Sequence, residues 1–225
     1  MPFISVLTAA WGTAEYLEEC LDSVQSQHYT DFEWLLGIDG DRKIKELISK
    51  IRHKYPNLRV FYADHMGHGA IINSLAYKAT GTYLTMFESD DVMFPNYLDI
   101  VRMYCEKGSL TRSLCVEFTT EDIEIPKRET WGGIWTISEH DFKLLGGYAN
   151  WVNGEDDEFY TRISKSLWKI YKHPIPSYYK RYRSDSMSNC EKFKPGSEGH
   201  KALLERISEV ERGRIELIFA GIEEI

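Results

Sequence analysis

Apolar runs of strand length alternate with helical repeats through residues 3–87, and that alternation leaves few folds open. Residues 3–8, 33–39, 58–63 and 83–87 read as strands. Between them, Leu17, Cys20, Leu21 and Val24 recur at helical spacing. So do Ile44, Leu47, Ile48 and Ile51, and then Ile72, Leu75, Ala76 and Ala79. Thr13 stands where it would cap the first helix, Asp41 where it would cap the second, and Gly81 ends the third. The order β-α-β-α-β-α-β predicts an α/β fold, a mostly parallel sheet flanked by helices on both faces.

Ligands on such sheets bind beyond the C-terminal strand ends. Thr8, Asp39 and the run Glu88-Ser89-Asp90-Asp91 all fall at such ends, so three segments converge on one edge of the sheet. Past residue 91 the pattern is less regular. Residues 96–107 read as a helix, 114–118 and 130–137 as strands, 139–145 as a short helix stopped by Gly146-Gly147, and residues from 156 through 163 as another helix. Residues 178–183 are aromatic and basic, 184–198 are loop-like, and Leu203, Leu204, Ile207, Val210, Leu217 and Ile218 suggest a C-terminal helix. The expected organisation is one domain over residues 1–225. It comprises a first half (1–95), a second half (96–195) and a C-terminal helix (196–225) able to pack against a second copy.

Two acidic stretches carry the chemistry. Glu88 and Asp90 share a face if the strand continues, with Asp91 turning off its end. Hard divalent cations such as Mn2+ or Mg2+ need only one or two protein carboxylates when phosphates complete their shell. The competing reading is a loop with helix-capping aspartates before Pro95. The second stretch, Gly154-Glu155-Asp156-Asp157-Glu158, opens a helix. Acids there complement the helix dipole, but four in a row exceed what capping requires. Crowded like charges raise carboxylate pKa values, which suits a general base.

Asp39-Gly40-Asp41 offers one carboxylate to a nucleobase or ribose and another as a cap. Gly67 and Gly69 let a ligand approach the backbone or simply make a turn. His65 and His68 beside them read as loop histidines. Trp151, with Trp131 or Trp135, offers a flat apolar surface for a sugar ring, or else packs in the core.

The bulk numbers limit the partners. A formal net charge of −8 over 225 residues, with no long Lys/Arg block, argues against generic nucleic-acid binding. A local basic patch at Lys180, Arg181 and Arg183 is compatible with that. No apolar run approaches the roughly 18 residues of a membrane span, and the N-terminal residues lack a basic leader. A cytoplasmic location is therefore expected. Cys20, Cys105, Cys115 and Cys190 show no metal-type pairing and are expected to be reduced thiols.

The ordered set of motifs resembles family 2 glycosyltransferases of the GT-A fold. Ile4-Ser5-Val6-Leu7-Thr8 with residues 16–24 and Gln27 is similar to their opening. Phe32-Glu33 leading to Asp39-Gly40 resembles their nucleotide-binding turn. Gly69, Asn73, Ala79, Gly81 and Glu88-Ser89-Asp90-Asp91 resemble the third helix and metal motif. Phe142, Leu145-Gly146-Gly147-Tyr148 and Gly154-Glu155-Asp156-Asp157 resemble the acceptor-side segment. The match covers roughly residues 3 to 188.

The resemblance implies an inverting transfer from a nucleotide sugar, by default UDP-linked, to an acceptor hydroxyl, with Mn2+ or Mg2+ offsetting charge on the diphosphate. Asp156 would be the base. Glu155, Asp157 and Trp151 would meet the acceptor. Thr8, Ala10, Trp11, Asp39, Gly69, Asn73, Glu88, Ser89 and Asp90 would form the donor site. Asp90 and Asp91 would hold the metal, and Arg181 and Arg183 the diphosphate. Three departures stand out. Ala9-Ala10-Trp11-Gly12 replaces a Pro-Thr-Tyr-Asn, Glu88 replaces an Asp, and Arg183 stands where His is common. The alternatives are a non-catalytic sugar or nucleotide-sugar binding module and a sugar nucleotidyltransferase; the second expects a Gly-rich basic loop that Trp11-Gly12-Thr13-Ala14 lacks.

Overall fold

The computed structural model describes residues 3–120, 129–149, 151, 154–186, 198, 201–202, 205 and 222–224. The chain begins β1 (Ile4–Ala10), α1 (Leu17–Gln25), β2 (Phe32–Asp39), α2 (Arg42–Ile51), β3 (Leu58–Ala63), α3 (His68–Lys78) and β4 (Tyr83–Met86). It continues β5 (Val92–Met93), α4 (Tyr97–Tyr104), β6 (Ser109–Phe118), β7 (Glu129–Ser138), α5 (Glu139–Leu144), α6 (Glu155–Ser164), β8 (Lys169–Arg181) and β9 (Glu223–Glu224). One nine-stranded sheet runs in the order β5-β8-β6-β7-β4-β1-β2-β3-β9. Strands β3, β2, β1 and β4 are parallel neighbours, as the alternating pattern predicts, while β7 joins β4 antiparallel.

Period-two alternation sorts the apolar residues onto the two faces. Ile4 and Val6 of β1, with Trp34, Leu36 and Ile38 of β2, pack under α1, α2 and α4 through Leu17, Leu21, Ile44, Ile48 and Leu98. Leu7 and Leu35 face the other way, onto Ile71, Ile72 and Leu75 of α3, Phe142 of α5 and Phe159 and Ile163 of α6. Strands buried on both faces therefore read as continuous apolar runs.

Asp41 caps α2 as expected, its Oδ1 accepting from the Lys43 and Ile44 N–H groups at 2.9 and 3.1 Å. Its Oδ2 also accepts from Gly12 N–H at 2.9 Å, which ties the loop after β1 to this turn. Thr13 does not cap α1 with its hydroxyl. That group meets Ser89 Oγ at 2.9 Å, and the Thr13 carbonyl accepts from Tyr16 and Leu17 instead.

The second half departs more from expectation. β6 starts five residues before the expected strand, at Ser109. β8 runs from Lys169, well before residue 178, and contains Pro174 and Pro176. Proline lacks the N–H a ladder needs, and the β6–β8 register shifts between Arg112 and Cys115. Only two-residue β5 pairs with β8 on its other side, so most of β8 needs few donors there. The expected C-terminal helix lies almost wholly outside the described residues, as does Cys190. Cys20, Cys105 and Cys115 are free thiols. Among the described residues no helix is long and apolar enough to cross a membrane.

Candidate active site

A cavity of about 530 Å3 opens at the C-terminal ends of β1, β2 and β4. Ala10, Trp11, Asp39, Glu88, Ser89, Asp90, Asp91, Glu155, Asp156, Arg181 and Arg183 all line it. The two acidic segments thus face one space. Thr8, Gly69, Asn73, Trp151 and Asp157 do not line it, and each has a different place.

Thr8 lies inside β1, fully buried. Gly69 admits a protein side chain and not a ligand: a Cβ there would sit 3.3 Å from Glu155 Cγ and 3.3 Å from Tyr148 Cβ. Asn73 clasps one residue of the second half, donating Nδ2–H to the Tyr148 carbonyl at 3.0 Å and accepting from its N–H at 2.8 Å. Trp151 is buried and Asp157 faces solvent. Trp135 is a core residue donating to the Tyr148 hydroxyl at 2.6 Å, and half-exposed Trp131 lies under Lys172 outside the cavity. The flat surface expected from those three tryptophans is absent from the cavity. Its aromatic lining comes from Trp11, Tyr148, Tyr178 and Tyr182.

At one end Trp11, 55% exposed, stacks on His65 with ring centroids 5.0 Å apart and 27° between planes. Asp39 lies beneath. Its Oδ1 accepts from Met66 N–H at 2.7 Å and its Oδ2 from Gly67 N–H at 3.0 Å, and His65 Nδ1 approaches Oδ2 at 2.9 Å. The carboxylate therefore builds the turn that carries the histidine, and only the lone pairs those bonds leave remain for a ligand.

In the middle, Asp91 is buried and its Oδ1 accepts from Arg181 N–H at 2.8 Å. Burial, and then the Asp90 charge, push the Asp91 carboxyl well above the usual range. Asp91 thus holds the end of β8 with one oxygen while lining the cavity. Arg181 is equally engaged: its Nε donates to the Asp90 carbonyl at 2.9 Å, its Nη2 pairs with Glu19, and its guanidinium lies over Tyr16 and Phe118. A diphosphate would have to displace those contacts. Asp90 points into the cavity with Arg183 Nε 3.0 Å from its Oδ2, and burial raises its pKa against the pull of Arg183. Among the described residues no three His, Cys, Asp or Glu side chains gather as a metal cage. The donor set fits a cation shared with a diphosphate and held by Asp90, since one carboxylate suffices when phosphate oxygens supply the rest.

At the other end, α6 begins after Gly154 in the left-handed region (φ 79°). Glu155 and Asp156 occupy its first turn, and Asp156 Oδ1 accepts from Asp157 N–H at 2.9 Å. Burial, then the charges of Asp157 and Glu155, push Asp156 up to about 6. Glu158 turns inward to a two-point pair with Arg162 at 2.8 and 2.7 Å, a structural role.

His65 and His68, which read as loop histidines in the sequence, both line the cavity. His68 Nδ1 lies 2.9 Å from Glu155 Oε1, and its Nε2 lies 3.8 Å from Glu88 Oε2. Burial alone would depress this imidazole; Glu88 and the Glu155 hydrogen bond instead hold it up to about 9. Glu88 itself is raised, because its burial outweighs the pull of His68. The signal was the one applied to Asp39: both histidines follow a strand end, beside a glycine that opens a helix.

The sequence pattern of glycosyl transferase family 2 matches residues 5–126. The chain belongs to that family. A second pattern, described as the N-terminal domain of galactosyltransferase, matches residues 112–184 of this family 2 chain. Chondroitin synthase of Pasteurella multocida is 26% identical over 121 residues, 53% of this chain and 12% of that protein. S. aureus TarS in complex with UDP-GlcNAc superposes with a TM-score of 0.69 at 16% identity, covering 95% of this chain and 68% of that one. The mannosyltransferase PcManGT from Pyrobaculum calidifontis, in complex with GDP-Man and Mn2+, gives a TM-score of 0.69 at 15% identity and covers 96% and 66%. The family 2 chain thus has a GT-A-like fold and spans about an eighth of the synthase it matches.

Proposed function

We propose that this chain transfers a sugar from a nucleotide-sugar donor to an acceptor hydroxyl with inversion at the anomeric carbon. One observation carries the reading: Asp156, with its carboxyl raised to about 6, shares a single cavity with Asp39, Asp90 and the Trp11–His65 stack. A base needs a pKa near working pH and reach to the proton it takes. Family membership supports the same chemistry.

In this reading Trp11 and His65 receive the nucleobase, with Asp39 below. Arg183 and Asp90 face the diphosphate. The acceptor enters beside α6, where Glu155 orients it and Asp156 takes the hydroxyl proton. The acceptor oxygen bonds to the anomeric carbon as the bond from that carbon to the phosphate oxygen breaks, and the nucleoside diphosphate leaves with the electron pair. A divalent cation arriving with the diphosphate would be held by Asp90 and would neutralise leaving-group charge. UDP remains the default nucleotide, as in the TarS complex; the PcManGT complex makes GDP the alternative.

The test is release of free nucleoside diphosphate from UDP-GlcNAc and from GDP-Man by the full chain. Asp156→Asn should bind UDP or GDP as the wild type does and lose release by about 10²-fold or more. Turnover unchanged by that substitution removes Asp156 as the base.

A further inference from the structure

Each half of the cavity presents its own carboxylates, and one side chain touches both. We infer that His68 is a positioning residue that locks acceptor-side Glu155 to donor-side Glu88, so that the adjacent Asp156 keeps its place against the donor. The inference rests on the transferase reading above.

The geometry is built from the nucleotide end outward. Asp39 accepts from Gly67 N–H at 3.0 Å, and Gly67, at φ 93°, turns the chain into α3. His68 is the first residue of that helix, so its backbone is set by the clasp under the nucleobase seat. Its ring is backed by Tyr148, with centroids 5.9 Å apart. Tyr148 is in turn fixed by Asn73 and Trp135. Gly69, next in α3, lets Glu155 lie down on the helix; an added Cβ would stand 3.3 Å from Glu155 Cγ.

The imidazole then reaches Glu155 through Nδ1 at 2.9 Å and faces Glu88 through Nε2 at 3.8 Å. The first contact is a hydrogen bond and the second, too long for one, is an ion-pair contact, so the ring bonds one carboxylate and attracts the other. Glu155 begins α6, and Asp156 follows it. The chain of contacts from Asp39 through Gly67, His68 and Glu155 thus ends one residue from the proposed base. A residue acting through others in this way sets the rate and leaves nucleotide affinity nearly alone.

The experiment compares the full-length wild type with His68→Ala, His68→Asn and Asp156→Asn. Affinity for UDP and GDP is measured, then release of each nucleotide from UDP-GlcNAc and GDP-Man with water in the acceptor's place. Water oxygen bonds to the anomeric carbon, the bond to phosphate breaks, and Asp156 takes the proton.

His68→Ala should bind the nucleotide within about threefold of wild type and release it at least tenfold more slowly. Asn places an amide donor near the Nδ1 position but has no arm toward Glu88, so His68→Asn should recover only part of that loss. His68→Ala turning over at the wild-type rate overturns the inference while Asp156→Asn remains inactive. Equal losses in both His68 variants, matched by equal losses of nucleotide affinity and melting temperature, also overturn it and leave a merely structural contact. Wild-type protein that releases neither nucleotide overturns the transferase reading, and this role with it.

Discussion

Arg183 Nε lies 3.0 Å from Asp90 Oδ2, which places a guanidinium against the one carboxylate of the Ser-Asp-Asp turn that is free to face a diphosphate. Asp91 commits one oxygen to the backbone of β8. A cation approaching Asp90 therefore meets a carboxylate already partly neutralised.

Removing Arg183 acts in two directions at once. If Arg183 holds the diphosphate as proposed, Arg183→Ala deletes a charge-assisted contact worth about 1.5–3 kcal/mol, and UDP affinity in chelator should fall by roughly tenfold or more. It also frees Asp90, so added Mn2+ should recover more affinity in the variant than in the wild type. Calorimetric titration of UDP with EDTA and with Mn2+ checks both. An equal Mn2+ effect in the two proteins would mean that the ion pair does not compete with a cation.

Proton uptake sets a second expectation. Asp156, raised to about 6 by burial and by Asp157 and Glu155, is a base only when deprotonated. Nucleotide release should therefore rise with pH up to about 6 and level above it, losing roughly tenfold per unit on the acid side. Asp157→Asn removes the like charge, favours ionised Asp156 and should move the acid limb to lower pH. A limb that stays in place would show that burial alone sets it.

His68 gives a stability signature with the opposite window. Its folded pKa, about 9, lies above the unfolded value near 6.5. The charged form is favoured by folding. That stabilisation is fully present below about 6.5 and is lost as pH rises through about 9. Melting temperature should decline across this interval in the wild type, and the decline should be shallower in His68→Asn. Parallel curves for the two proteins would show that the contacts of His68 with Glu88 and Glu155 contribute nothing measurable.

What could be read from the chain follows from where the information lies. Strands β1 to β4 and the helices between them were legible because both sheet faces are buried, so periodicity alone separates the elements. Glu88–Asp91 and Glu155–Asp156 were legible because carboxylates crowd at a strand end and at a helix start. β8 was not, since Pro174 and Pro176 break the strand signature and the shifted register against β6 leaves no regular alternation. The placements of Asn73, Asp91 and Arg181 were also hidden. Their partners are backbone groups or side chains 61 to 162 positions away, and nothing local encodes such a bond. His65 and His68 read as loop histidines because a histidine carries no periodic pattern, and their place after a strand end was their one mark. Only the turn after β3, folded over Asp39, brings them into the cavity.

Asn73 supplies the last expectation, because it joins the donor-side helix α3 to the acceptor-side turn at Tyr148. Both its polar atoms bond the backbone of that one residue, at 3.0 and 2.8 Å, and it is buried. Asn73→Ala leaves a buried N–H and C=O without that partner, at about 1–3 kcal/mol each, and opens a small void. Asn73→Asp keeps an acceptor for the Tyr148 N–H but sets a buried carboxylate against the Tyr148 carbonyl. Its second oxygen then faces an acceptor instead of donating to it, so the acid should destabilise at least as much as alanine at neutral pH. Protonating the new carboxyl restores a donor, and its stability should recover relative to alanine as pH falls. Chemical denaturation of the three proteins at pH 7 and pH 5 tests this. Wild-type stability in Asn73→Ala would show that the two halves are held together elsewhere, through the aromatic cluster of Trp135, Phe142, Tyr148 and Phe159.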